Sequence, residues 1–150
     1  MTTIRAPQDL CFDLARSVDL HIESMSATGE TAVAGVTRGL IGLNEEVTWE
    51  ATHFLVRQRL TSRITAFDRP SHFRDSQVRG AFRRFDHDHF FASADGGTQM
   101  TDVFDYTSPF GLLGILADHI LLERYMRALI ARRAEAIKAE AERRAAKIDP

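Results

Sequence analysis

Apolar and polar residues change their spacing twice along the chain. Near the N-terminus Leu10, Cys11, Leu14 and Ala15 recur at helical intervals behind Pro7, whose fixed φ suits a first helical turn. Leu20, Ile22 and Met25 follow Ser17, a natural cap, and predict a second short helix over 18–25 that Thr28-Gly29 ends. Thr2 to Ile4 reads as the end of a strand stopped by Ala6-Pro7.

From Thr31 to Thr107 the period becomes two. Val33 to Thr37 predicts a strand. Val47, Trp49, Ala51 and His53 alternate with polar neighbours, as do Leu60, Ser62, Ile64 and Ala66, so each of those segments is a strand with one wet face. The glycine-punctuated loop 39–44, with Leu40, Ile41 and Leu43, reads as a mobile lip over a pocket mouth. His72 to Val78 is a further strand; alternation leaves its phase open, with Phe73, Asp75 and Gln77 as one candidate inner face. Asp95-Gly96 is a tight-turn signal between two more period-2 segments. A turn centred there sets Ala94 opposite Gly97, Phe91 opposite Met100, His89 opposite Asp102, His87 opposite Phe104 and Phe85 opposite Tyr106. The eight side chains of the last four pairs then share one face.

Ser108-Pro109 supplies an N-cap and a first-turn proline, and Leu112, Leu116, His119, Leu122, Met126, Leu129, Arg133 and Ile137 follow every three or four residues. They predict a long helix laid on the sheet. Beyond Ile137 the chain is helix-favouring but polar all round, so 138–150 is expected to project and fray. Runs of strands ending in a helix imply an α+β fold. We expect one domain over 1–150: a curved antiparallel sheet wrapped around a long C-terminal helix, two short helices near the N-terminus, and a hollow between sheet and helix.

The hairpin face is mostly aromatic yet carries two histidines and a carboxylate, a mixture that suits a lined cavity better than a plain core. Trp49, Phe85, Phe91, Met100, Phe104, Tyr106, Leu116 and Met126 are its expected apolar walls, with His53 and His87 as polar contacts. His89 with Asp102 is an expected catalytic pair in an enzyme reading, the carboxylate orienting the imidazole as acid–base; a satisfied cross-strand contact that polarises the pocket is the alternative. His87-Asp88-His89 places two imidazoles on one side of a strand with Asp102 nearby, a possible zinc set. No cysteine assists it, and no metal or cofactor is expected.

Charge and composition narrow the partners. The net charge of −2 and pI near 6.3 give no basic field for nucleic acid. The run Arg57, Arg59, Arg63, Arg79, Arg83 and Arg84 falls mostly on an outer, salt-bridged face. The lone Cys11 excludes an internal disulfide and reads as a core residue. No secretory pattern opens the chain. The apolar stretch 110–122 is broken by Asp118 and His119 and is too short to span a bilayer, so a cytoplasmic protein without a membrane span is expected. Oligomeric state is not encoded.

Several segments together carry a family resemblance. They are Ile4-Arg5-Ala6-Pro7 before Cys11-Phe12-Asp13-Leu14, the stretch Gly35-Val36-Thr37-Arg38-Gly39-Leu40-Ile41-Gly42, and Val47-Thr48-Trp49-Glu50-Ala51. Phe82-Arg83-Arg84-Phe85-Asp86-His87-Asp88-His89-Phe90-Phe91 and Met100 through Pro109 complete the set. In these the chain resembles the helix-grip SRPBCC superfamily, which includes START lipid-transfer domains, Bet v 1-like plant allergens and aromatic polyketide cyclases. The resemblance implies a small hydrophobic ligand, aromatic, polyketide-like or lipid-like, in the internal cavity. Its alternative is a polyketide cyclase/dehydrase- or hydrolase-like enzyme using His89 and Asp102. An interaction module built on the polar tail is a third class and leaves the polar cluster unexplained. Relatives carry a longer first strand than Thr2-Thr3-Ile4; a start upstream of Met1 is the expectation, and a shortened edge strand the alternative.

Overall fold

The computed structural model describes residues 1–53, 55–107 and 121–147. β1 (Thr2–Ile4) leads to α1 (Gln8–Ala15) and α2 (Val18–Ser24), and a 3-10 turn (Ser26–Thr28) precedes the main sheet. The remaining strands are β2 (Thr31–Gly35), β3 (Glu46–His53), β4 (Val56–Asp68), β5 (His72–Arg79), β6 (Arg84–Ala94) and β7 (Gly97–Thr107), followed by α3 (Glu123–Ala145). One antiparallel seven-stranded sheet results, ordered β1-β7-β6-β5-β4-β3-β2. The expected α+β architecture of a curved antiparallel sheet, two short N-terminal helices and a C-terminal helix is the observed one.

Local chemistry accounts for the frame. Ser17 Oγ accepts the Leu20 N–H at 3.3 Å and starts α2. Gly96 turns the β6–β7 hairpin at φ +76°, a conformation glycine adopts without steric cost. That turn sets the register expected from the sequence: Phe91 with Met100, His89 with Asp102, His87 with Phe104 and Phe85 with Tyr106. The arginine-rich outer face is salt-bridged, with Arg57 and Arg59 on Glu50, Arg63 on Glu46 and Arg74 on Asp88.

The densest packing lies beneath α1. Phe12 is fully buried and meets Phe67, Phe73 and Phe91 edge-on at centroid distances of 5.3, 5.4 and 5.5 Å. Phe91 and Met100, expected as cavity walls, belong to this core instead. Alternation assigned their face correctly, but α1 covers that end of the sheet. β1 crosses so close to Gly97 that a Cβ there would lie 2.1 Å from the Ile4 carbonyl oxygen. β1 pairs with β7 only at Met100, Gln99 and Thr98.

Two further expectations differ from the structure. The segment from 138 is continuous with α3 as far as Ala145 and does not project as a frayed tail. Ala134, Ile137 and Ala141 are buried, and the Arg5 N–H donates to Glu142 Oε1 at 3.0 Å. Small alanines make a narrow apolar stripe that a count of polar residues hides. The loop 39–44 is pinned to the first helices and is no lip over the larger cavity: Ile41 is buried, and Arg16 donates to its carbonyl at 3.1 Å. Ser108, Pro109, Leu112, Leu116 and His119 lie outside the described residues. Among the described residues no helix is long and apolar enough to cross a membrane.

Phe12→Ala should lower the free energy of unfolding by about 3–5 kcal/mol, because it empties the centre of an aromatic cluster. Urea denaturation measures this, and a loss below about 1 kcal/mol would show that the cluster does not anchor α1.

Candidate functional site

A cavity of about 230 Å³ lies between the sheet and α3. Trp49, Phe85 and Phe104 face it from the sheet, and Met126, Leu129 and Ile130 from α3. The helical residues follow from the 3.6-residue period that places 126, 129, 130 and 133 on one face. A smaller space of about 80 Å³ adjoins it beneath the α1–α2 junction. His21, Trp49, Ser62, Asp75, His87 and Arg133 line both, so the wall between the two spaces is largely polar.

Four ionisable side chains from three neighbouring strands, two of them in that wall, form one network. His87 and His89 project from β6 with ring centroids 3.9 Å apart, Asp102 comes from β7 and Asp75 from β5. His89 Nε2 bonds Asp75 Oδ1 at 3.1 Å, and its Nδ1 lies 2.9 Å from Asp102 Oδ1. His87 Nε2 is 3.2 Å from the same Asp102 oxygen. Neither His89 Nδ1 nor His87 Nε2 meets Asp102 in full hydrogen-bond geometry, although both lie close to the same carboxylate oxygen. Burial of His89 disfavours its charged form, but Asp102 and Asp75 outweigh burial and raise its pKa to about 9. Burial likewise opposes ionisation of Asp102, yet His87 and His89 hold its carboxyl well below the usual range.

This arrangement alters the acid–base pair expected from the sequence. Both His89 nitrogens face carboxylates, and the ring is nearly sealed from solvent. A base needs a neutral nitrogen within reach of substrate, which His89 does not offer at neutral pH. His87 is the histidine of the pair that lines the larger cavity. Asp75, His87 and His89 also present ligand atoms within 4.8 Å of one another. A metal there requires neutral imidazoles, so it would have to displace the proton that the carboxylates hold on His89.

A second polar group involves Glu30. Burial pushes its carboxyl up to about 7, with the nearby His53 opposing the shift. His21 Nε2 contacts Glu30 Oε1 at 3.1 Å, and its ring stacks on Trp49 at 4.1 Å. His53 Nδ1 is hydrogen-bonded to the Tyr125 hydroxyl at 2.7 Å. On α3, Arg133 donates from Nη2 to the Ala15 carbonyl. The residue as a whole is half-buried, yet its Nε and Nη1 are closed to solvent and meet no partner among the described residues.

Of the expected ligand contacts, Trp49, His53, Phe85, His87, Phe104 and Met126 do line the cavity. Tyr106 packs on Phe82 and Phe104 at 5.4 and 5.6 Å, outside the lining. Leu116 is outside the described residues. Asp75 is the acidic residue whose phase alternation leaves open. Sequence pattern does not single out His21, Glu30 or Arg133 as site residues; only Arg133 carries a usable signal, a cation between the apolar stripe positions Met126, Leu129 and Ile137.

No protein family and no curated protein matches this sequence. Solved structures do. TTHA0849 from Thermus thermophilus superposes with a TM-score of 0.72 at 18% identity, over 93% of this chain and 95% of that one. Ginseng major latex-like protein 151 from Panax ginseng gives 0.67 at 14% identity, over 93% of each chain. The di-domain ARO/CYC StfQ from the steffimycin biosynthetic pathway gives 0.58 at 14% identity, over 95% of this chain and 44% of that one. The chain has the helix-grip fold. At such identities the likeness is one of fold, and a helix-grip scaffold by itself selects no activity.

The charge network of this helix-grip chain sets a pH dependence. His89 has a folded pKa of about 9 against an ordinary 6.5, so its contribution is complete below pH 6.5 and is lost as pH rises through 9. Asp102 is depressed, so its contribution holds above the ordinary carboxylate range and is lost in acid. Stability should therefore fall by on the order of 3 kcal/mol between about pH 6.5 and 9.5. His89→Gln should be less stable at pH 6 and show a flatter profile in urea denaturation. A His89 ring titrating at or below 6.5 by NMR would refute the network as described.

Proposed function

We propose that this protein encloses a small, largely apolar molecule, aromatic, polyketide-like or lipid-like, with residues 1–150 acting as one ligand-binding unit. The observation that carries the reading is the cavity of about 230 Å³ between sheet and α3, walled by aromatic and aliphatic side chains with a few polar groups set among them. Burial of apolar ligand surface at roughly 25 cal/mol per Å² drives binding there, and His53, His87 and the Glu30–His21 pair orient the ligand's polar atoms. The helix-grip architecture shared with a latex-like protein and an ARO/CYC supports this reading at the level of fold.

Glu30 favours a second reading, a cyclase-, dehydrase- or hydrolase-like enzyme. A buried carboxyl poised near 7 in the cavity wall suits proton transfer to or from a carbonyl substrate. In that case Glu30, with His21 as its hydrogen-bond partner, replaces His89 and Asp102 as the acid–base group.

Calorimetric titration with 2-naphthalenemethanol, a neutral apolar probe, tests the binding reading. The wild type should bind it, and Leu129→Trp, which fills the cavity from α3, should weaken binding at least about tenfold. Absence of wild-type binding both to this alcohol and to the corresponding acid, 2-naphthoate, or undiminished binding to a folded Leu129→Trp protein, would remove the cavity as a ligand site.

A further inference from the structure

We infer that the ligand of this cavity is an apolar acid whose carboxylate is bound by Arg133, a choice of ligand class that rests on the binding reading above. Arg133 stands in the polar wall shared by the two spaces, with Nη2 tied to the Ala15 carbonyl. Its Nε and Nη1 are buried and unpartnered among the described residues. Burial draws its pKa down only to about 10, so it stays charged at neutral pH. A buried cation with unmet N–H donors carries a large desolvation cost unless an acceptor supplies both charge and hydrogen bonds.

Among the described residues that line the two spaces, no carboxylate supplies them. Asp75 is engaged with His87 and His89, and so is Asp102 behind the wall. Glu30, with its pKa near 7, is no fixed anion. That acceptor is assigned to the ligand.

Size and charge narrow its class. At roughly 30 Å³ per water, a cavity of about 230 Å³ exchanges about eight waters for the ligand. Among the described residues, the other arginine bordering this cavity is Arg59, whose exposed side chain is tied to Glu50 at 2.8 Å, so one arginine there is left for one negative charge. A singly charged carboxylate fits that better than a phosphate dianion, and a guanidinium matches carboxylate geometry. Met126, Leu129 and Arg133 lie on one face of α3, about 10 Å from first to last at roughly 1.5 Å per residue. The acid group therefore sits at Arg133, with the apolar body along Leu129 and Met126 against Trp49 and Phe104.

The test compares 2-naphthoate with 2-naphthalenemethanol, which has the same ring system without the charge, by calorimetry at pH 7. The wild type should prefer the acid by about tenfold or more. Arg133→Met should bring the acid-to-alcohol ratio to about one, and Arg133→Lys should keep part of the preference. A wild type that binds the alcohol as well as the acid overturns the assignment while leaving the cavity reading intact, and so does an Arg133→Met protein that keeps the preference. A wild type that binds neither probe overturns both. The wild-type ratio and Arg133→Lys decide the matter should Arg133→Met not fold.

Discussion

A charge placed between this sheet and α3 has lost its water and must find compensation within a few ångströms. His89 shows the constraint satisfied: an imidazolium between Asp75 and Asp102, drawn from three adjacent strands. Removing one member would leave an uncompensated buried charge, so the network ties β5, β6 and β7 into one register. A slip of one residue in β6 would turn His87 and His89 to the outer face and bring Asp88 inward. Asp88 is instead held outside by Arg74 and His72. The same register presents His87 to the cavity and leaves His89 behind it as support.

How much of this was legible in the sequence depends on how local the determining interaction is. The β6–β7 register was legible because one turn with a left-handed glycine sets it. The apolar face of α3 was legible because helical period alone sets it. Position along a strand was not, and so Phe91 and Met100 passed for cavity wall although α1 and Phe12 cover them. The inner phase of β5 stayed open because β4 and β5 shift register between Thr61 and Ser62 and again between Ile64 and Ala66. A bulge cancels the period-2 rule that reads a face from sequence. Glu30 follows a left-handed Gly29 just before β2. Its burial comes from His21 and the cavity, elements no short window contains.

The sequence offered His89 and Asp102 as the chemical centre, and the structure shifts attention to groups whose needs are unmet. A carboxylate facing an imidazole suggests catalysis only while the imidazole keeps a nitrogen for the substrate. Here a second carboxylate takes that nitrogen and converts the pair into a structural charge lock. Functional potential passes to side chains that line the cavity without a complete set of partners. Arg133 has charge and, among the described residues, unmet donors, and Glu30 has a proton held near neutrality.

These two groups also constrain each other. An acid bound at Arg133 brings a negative charge into the cavity that Glu30 lines. Like charge and the exclusion of water by the ligand both disfavour the ionised carboxyl. In the proposed complex Glu30 would therefore be shifted towards its protonated form and would face the ligand as a donor. In a carrier that proton serves as a hydrogen bond to the ligand's second polar atom. In an enzyme it makes Glu30 the general acid rather than the base, which suits dehydration or protonation of a carbonyl oxygen better than abstraction of a proton from carbon. The chemistry open to this cavity is thus set as much by the charge of its ligand as by the residues around it.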